Sequence, residues 1–141
     1  MKSNLDSLFK TDKEVEKTGA WFNITETTGF LVRPFNMNNQ QIKAAHARHF
    51  KPFAHQIEHG TLDSVKEREI YTKIFVGACL VDWKGVEIDG KEVKFEKEIA
   101  VKFLMELPEL FQTLMKHAED FKNYKIDFAA KEQVGNSLSA I

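Results

Sequence analysis

The residues with the most evident capacity for chemistry are His55-Gln56-Ile57-Glu58-His59. They fit the H-x-x-E-H pattern, in which two imidazoles one helical turn apart meet a Zn²⁺ ion with an acid beside them. Such a site needs a continuous helix, a third ligand from a second element, and a cleft. Pro52 stands just before the motif and Gly60 just after it, which leaves less than two clean turns. Glu132 is the distant acid that could be nominated, and His46 and His49 could add ligands if their segment folded back. The simpler reading is a polar, solvated face on short helices. A small zinc-dependent hydrolase using His55 and His59 is therefore kept as the enzymatic alternative, and no metal ligand is assigned.

The other candidates are thinner. Glu87, Asp89, Gly90 and Glu96 fall on calcium-loop positions, but the first position would be Gly85, which has no side-chain ligand. Cys79 lies in the apolar run Ile74–Val81 and reads as a small buried thiol, because no base is indicated for a nucleophile. His117 stands alone on a helix and is expected to be exposed. The sequence has no Gly-rich phosphate loop, no nucleophile elbow and no cysteine pair, so no catalytic residue and no cofactor is assigned. This silence favours a binding or assembly role over an enzyme.

The elements that would position these residues belong to one domain of 141 residues. Twenty Lys and Arg balance 21 Asp and Glu, which argues against nucleic acid as the main ligand. With 43% hydrophobic and 29% charged residues the composition is that of a soluble globular protein. The first residues lack the apolar core of a signal peptide, and no run is long enough to span a membrane, so a cytosolic protein is expected. Twelve Phe against two Trp and two Tyr suit either a core or an apolar docking surface.

Along the chain, Ala20–Ile24 and Phe30–Phe35 flank a polar turn ending at Gly29, the pattern of an antiparallel hairpin. Asn38 and Gln41 resemble a capping box for a helix to about Phe50, with one or two further turns before Gly60. A central helix starts at Thr61 or Asp63 and carries Val65, Ile70, Ile74, Ala78 and Val81 near one face, until Trp83-Lys84-Gly85 breaks it. Asp89-Gly90 between Val86–Ile88 and Lys91–Val93 signals a second, short hairpin. Glu96–Glu106 and Pro108 to about Phe121 read as two more helices. The expected fold is α+β: a mostly α-helical single domain with an N-terminal β-hairpin and a second short one. The expected division is an N-terminal arm and connector over 1–19, the domain over 20–122, and a mobile tail over 123–141.

Several stretches read together resemble the tail assembly chaperones of long-tailed (siphovirus-type) bacteriophages. They are Leu8-Phe9-Lys10-Thr11-Asp12 with the Trp21 strand, Val32-Arg33-Pro34-Phe35-Asn36, Gly60-Thr61-Leu62-Asp63, Leu80–Val86, Ile88-Asp89-Gly90-Lys91 with Phe95, and Leu107-Pro108-Glu109-Leu110-Phe111. The sequence departs at Lys94 and Glu96, where Pro and Ser are expected in the strand-to-helix turn. The resemblance implies a non-enzymatic protein of the infected bacterial cytoplasm. It would bind the tape-measure protein, assist polymerisation of the tail-tube protein, and be absent from the virion. It implies neither a nucleic-acid nor a membrane partner and leaves self-association open. A C-terminal extension by frameshifting would suit a tail such as Val134–Ile141. The partner-binding candidates are Leu5, Leu8 and Phe9 of the arm, with Leu107, Leu110, Phe111, Leu114 and Met115 at the last helix. The competing reading of the 110–115 set is core. A structural tail component, such as a connector or terminator subunit, is the other alternative.

Overall fold

The computed structural model describes residues 1–126. In chain order the elements are α1 (Asp6–Phe9), α2 (Lys13–Thr18), β1 (Ala20–Asn23), β2 (Gly29–Val32), α3 (Gln40–Phe50), a 3₁₀ turn (Lys51–Phe53) and α4 (Ala54–Glu58). Then follow α5 (Ser64–Ala78), β3 (Leu80–Lys84), β4 (Glu87–Ile88), β5 (Lys91–Glu92), α6 (Lys97–Glu106), α7 (Pro108–Glu119) and a second 3₁₀ turn (Phe121–Tyr124). The fold is α+β, mostly helical, with both expected hairpins.

The first hairpin pairs Ala20 with Val32 and Asn23 with Gly29. The second closes through Asp89 and Gly90 at φ 53° and 77°. Two successive positive φ angles match the twist of paired strands, which is why an Asp-Gly pair sits there.

The expected end of the central helix is overturned. The central helix α5 ends at Ala78, and Leu80–Lys84 is a strand, not the helix's last turn. β3 pairs antiparallel with β2 and makes a three-stranded sheet in the order β1-β2-β3. Ala78 and Val81 continue the helical spacing by coincidence, whereas Leu80 and Trp83 are the residues that face the core. The register passes from Leu31↔Asp82 to Val32↔Leu80 and so skips Val81, a bulge that lets both buried residues point inward. Trp83 meets Phe30 edge-on at 6.2 Å and donates its indole N–H to the Val93 carbonyl at 2.7 Å. Each of these large rings contributes about 2–3 kcal/mol through burial.

Helix α5 packs against α3, α6 and β3 and buries Ile70, Ile74, Phe75 and Val76. Val65 does not share that face and is 54% exposed, because five helical positions turn it about 140° away from Ile70. Helix α3 starts one residue later than expected, with the Asn39 side chain accepting from the N–H groups of Gln41 and Ile42. At α6, Glu96 makes no side-chain cap, the consequence of having no Ser there. Pro108 occupies the first turn of α7, which buries Leu114 and Ala118.

The charged connector contains α2, capped by Asp12 at the Glu14 N–H and closed by Gly19 at φ 91°. At the other end, Tyr124 is fully buried although it follows residue 122. Its hydroxyl donates to the Val32 carbonyl at 3.0 Å. Residues 127–141, with Glu132 and Val134–Ile141, lie outside the described residues.

Candidate functional site

The arm presents its apolar side chains outward. Leu5 and Leu8 are each 52% exposed and Phe9 61%. A four-residue helix cannot bury a face on itself, and α1 has no buried residue. Phe9 stacks on Phe121 at 5.7 Å between ring centroids. Behind it, the Asp12 N–H donates to the Tyr124 carbonyl at 2.7 Å and the Ile126 N–H to the Lys10 carbonyl at 3.2 Å. The arm is thus held by residues 121–126, which act as a clasp.

The second candidate patch divides. Leu114 is fully buried in the core and is no part of an outward surface. Leu110, Phe111 and Met115 are partly buried and pack on that core, with Phe111 edge-on to Phe75 at 5.6 Å. Leu107 is 42% exposed at the corner between α6 and α7. Phe111 and Met115 form one wall of a groove of about 270 Å³, with Tyr71 and Arg68 of α5 opposite. Arg68 donates to the Met105 carbonyl at 2.8 Å and closes the end of α6. The arm meets the body beyond the C-terminal end of α7, whereas Leu107 precedes its N-terminal end and the groove runs along it from Pro108 to Met115. At 1.5 Å per residue Leu107 lies about 20 Å along the axis from Phe121 and Met115 about 9 Å, so the candidate residues are strung along α7 and do not form one patch with the arm.

Sequence reasoning missed a wider cleft, about 1140 Å³, between α2, the loop before α3 and the end of α7. Its apolar wall includes Phe35, Met37 and Phe121, and Lys13, Lys17 and Glu119 stand around it. The run Asn36–Gln41 was the local signal, since amide side chains without periodicity mark a loop at a surface.

The histidines occupy three different settings. His55 and Glu58 are exposed on a helix of five residues that the exposed His59 caps, with the two rings 4.3 Å apart. Among the described residues no three His, Cys, Asp or Glu side chains are grouped to hold a metal. His46 packs on Phe50 and Tyr71. Burial lowers the proton affinity of His49, with Arg48 and Lys73 adding to the effect. His117, expected to be exposed, is half-buried: its ring stacks on Phe22 at 4.4 Å and meets Tyr124 edge-on at 6.0 Å. Its Nε2 is buried with no hydrogen-bond partner among the described residues. Burial lowers its pKa, with Asp120 opposing. Cys79 is fully buried, as expected, and burial pushes its thiol up to about 12.

The sequence matches the family described as YdaY prophage protein over residues 37–136, well over half of the chain. The chain belongs to the YdaY prophage protein family. No curated protein and no solved structure matches it. The family assignment makes this a phage-related protein, and its description names no activity and no partner. The matched span takes in the Leu107 corner, the groove and the histidines. The arm with Leu5, Leu8 and Phe9 lies before it. No helix among the described residues is long and apolar enough to cross a membrane.

Proposed function

We propose that this prophage protein is a tail assembly chaperone that binds the tape-measure protein in the bacterial cytoplasm, assists tail-tube polymerisation, and does not catalyse a reaction. The observation that carries the reading is the arm: three large apolar side chains, each more than half exposed, on and just before a four-residue helix with no buried residue. A tape measure is a long helical chain whose apolar stripes stay uncovered until the tube surrounds them. Covering one exposed Leu or Phe contributes about 1–2 kcal/mol. Three such contacts give a hold weak enough to release, and many copies along one chain give enough to keep it soluble. The phage family and the resemblance of the sequence to tail assembly chaperones support the same reading.

The test is co-expression with the tape-measure protein encoded by the same prophage, followed by tagged pull-down and size-exclusion chromatography. The expected result is a soluble complex that is weakened by L8E and F9E. A tape measure that stays insoluble beside the folded, soluble chain overturns the proposal. Finding the chain at fixed stoichiometry in purified particles would make it a structural tail component instead.

A further inference from the structure

The clasp that holds the arm is built around an imidazole that, among the described residues, has no acceptor for a second proton. His117 lies between the ring of Phe22 on β1 and the ring of Tyr124 in the 3₁₀ turn. Its backbone carbonyl accepts from the Asn123 side chain at 2.9 Å, so ring and backbone of one residue both support the turn. Nε2 is buried and meets no acceptor among the described residues.

A neutral imidazole tolerates this setting, because one bare nitrogen among aromatic rings costs only the loss of a water. An imidazolium there needs an acceptor for each N–H. The charged group that acts on it is Asp120, from the end of α7, and it favours protonation without overcoming burial. Helix α7 otherwise places Lys116 beside it in sequence, and Lys116 is exposed. β1 contributes Phe22. The 3₁₀ turn contributes the Tyr124 phenol, itself kept neutral by burial and by the Cys79 thiol, and the exposed Lys122. Among the described residues no packed neighbour supplies the missing acceptor, so a water has to, and the Phe22 and Tyr124 rings packed on the imidazole must separate from it to let one in.

We propose that His117 gates the clasp: when its ring takes up a proton, residues 121–126 detach from the body and release the N-terminal arm. Three further contacts tie the two ends together and would go with it. They are the Asp12–Tyr124 bond, the Ile126–Lys10 bond and the Phe9–Phe121 stack. The inference does not depend on which partner the arm meets, and it can fail or hold independently of the chaperone reading.

Amide hydrogen exchange on the full chain tests it, read at the clasp amides of Asp12 and Ile126 and at the core amide of Cys79, which bonds to the Phe75 carbonyl. Uptake of one proton raises opening by at most tenfold per pH unit. Between about pH 7.5 and about pH 5.5 the clasp amides should therefore lose up to about tenfold in protection, after correction for the intrinsic rate. The Cys79 amide should not follow. H117F, which keeps an aromatic ring in the stack, should abolish the pH dependence. In the unmodified protein the His117 ring followed by NMR should titrate below an ordinary imidazole, because the closed clasp excludes its second proton. Unchanged clasp protection across that range, the same loss in H117F, or a His117 ring that titrates in the native protein like an ordinary imidazole would each overturn the proposal. The ring titration also decides the matter if H117F does not fold.

Discussion

Tyr124 offers the sharpest test of where the folded body ends. Its side chain is fully buried, and its hydroxyl bonds to the Val32 carbonyl across 92 residues of sequence. Val32 stands at the bulge where β2 changes register with β3, so this bond secures the sheet at its irregular point. Y124F removes the hydroxyl and keeps the ring; loss of a buried neutral hydrogen bond costs about 1–2 kcal/mol. Y124A also removes the ring and opens a cavity between β2, α7 and the clasp, at a cost of about 3–5 kcal/mol. For a chain of this length, 1 kcal/mol moves the melting temperature by about 3–5 °C. Y124F should therefore melt about 5 °C lower, and Y124A at least about 10 °C lower. Urea unfolding at about pH 8, where His117 is neutral, should give the same ranking with unchanged m-values. If Y124A lost less than about 1 kcal/mol, residues 121–126 would lie outside the cooperative body, and the clasp would have no structural basis.

Two further perturbations probe the backbone and the core. Gly85 has φ 67°, and a Cβ there would fall inside the contact radius of the Thr27 carbonyl oxygen, which is backbone and cannot rotate away. G85A should cost at least about 2 kcal/mol in urea unfolding, from left-handed strain plus the clash; a loss under about 0.5 kcal/mol would show that the turn relaxes freely. Cys79 is fully buried with its thiol pushed up to about 12, so only about one molecule in ten thousand carries a thiolate at about pH 8. An aromatic disulfide reagent should leave it unmodified in the native protein and react with one equivalent in denaturant; rapid native labelling would refute the packing around α5.

The elements written in local chemistry were legible in the sequence. Asp89-Gly90 specifies its own turn, and Pro108 starts a helix because its missing N–H costs nothing in the first turn. The end of α5 was not legible. Ala78 and Val81 extend a helical period and Leu80 and Trp83 suit a strand, so the sequence around them supports both readings. The decision falls to β2, whose second edge would have no strand partner without β3. His117 and Tyr124 were missed for a related reason. Each is buried by a residue far away in sequence, Phe22 for one and Val32 for the other, and periodicity within a helix does not report such neighbours.

The same limit explains why the candidate surface separated. Leu110, Phe111, Leu114 and Met115 have the spacing that suits a core face and a docking face equally. Packing resolved them residue by residue: Leu114 went fully inside, and the other three lie part-way along the wall of a groove or on the core's edge. Leu5, Leu8 and Phe9 have a similar spacing across α1 and the residue that precedes it, but a single helical turn ahead of a charged connector has too few neighbours to cover them. What distinguishes the two sets is the amount of protein around each. A partner that adds apolar surface therefore gains most at the arm, where about half of every side chain is still in water, and least at Leu114, where nothing is left to bury. Binding energy, if the arm is the docking element, should concentrate in Leu8 and Phe9 and be indifferent to Leu114 beyond its effect on stability.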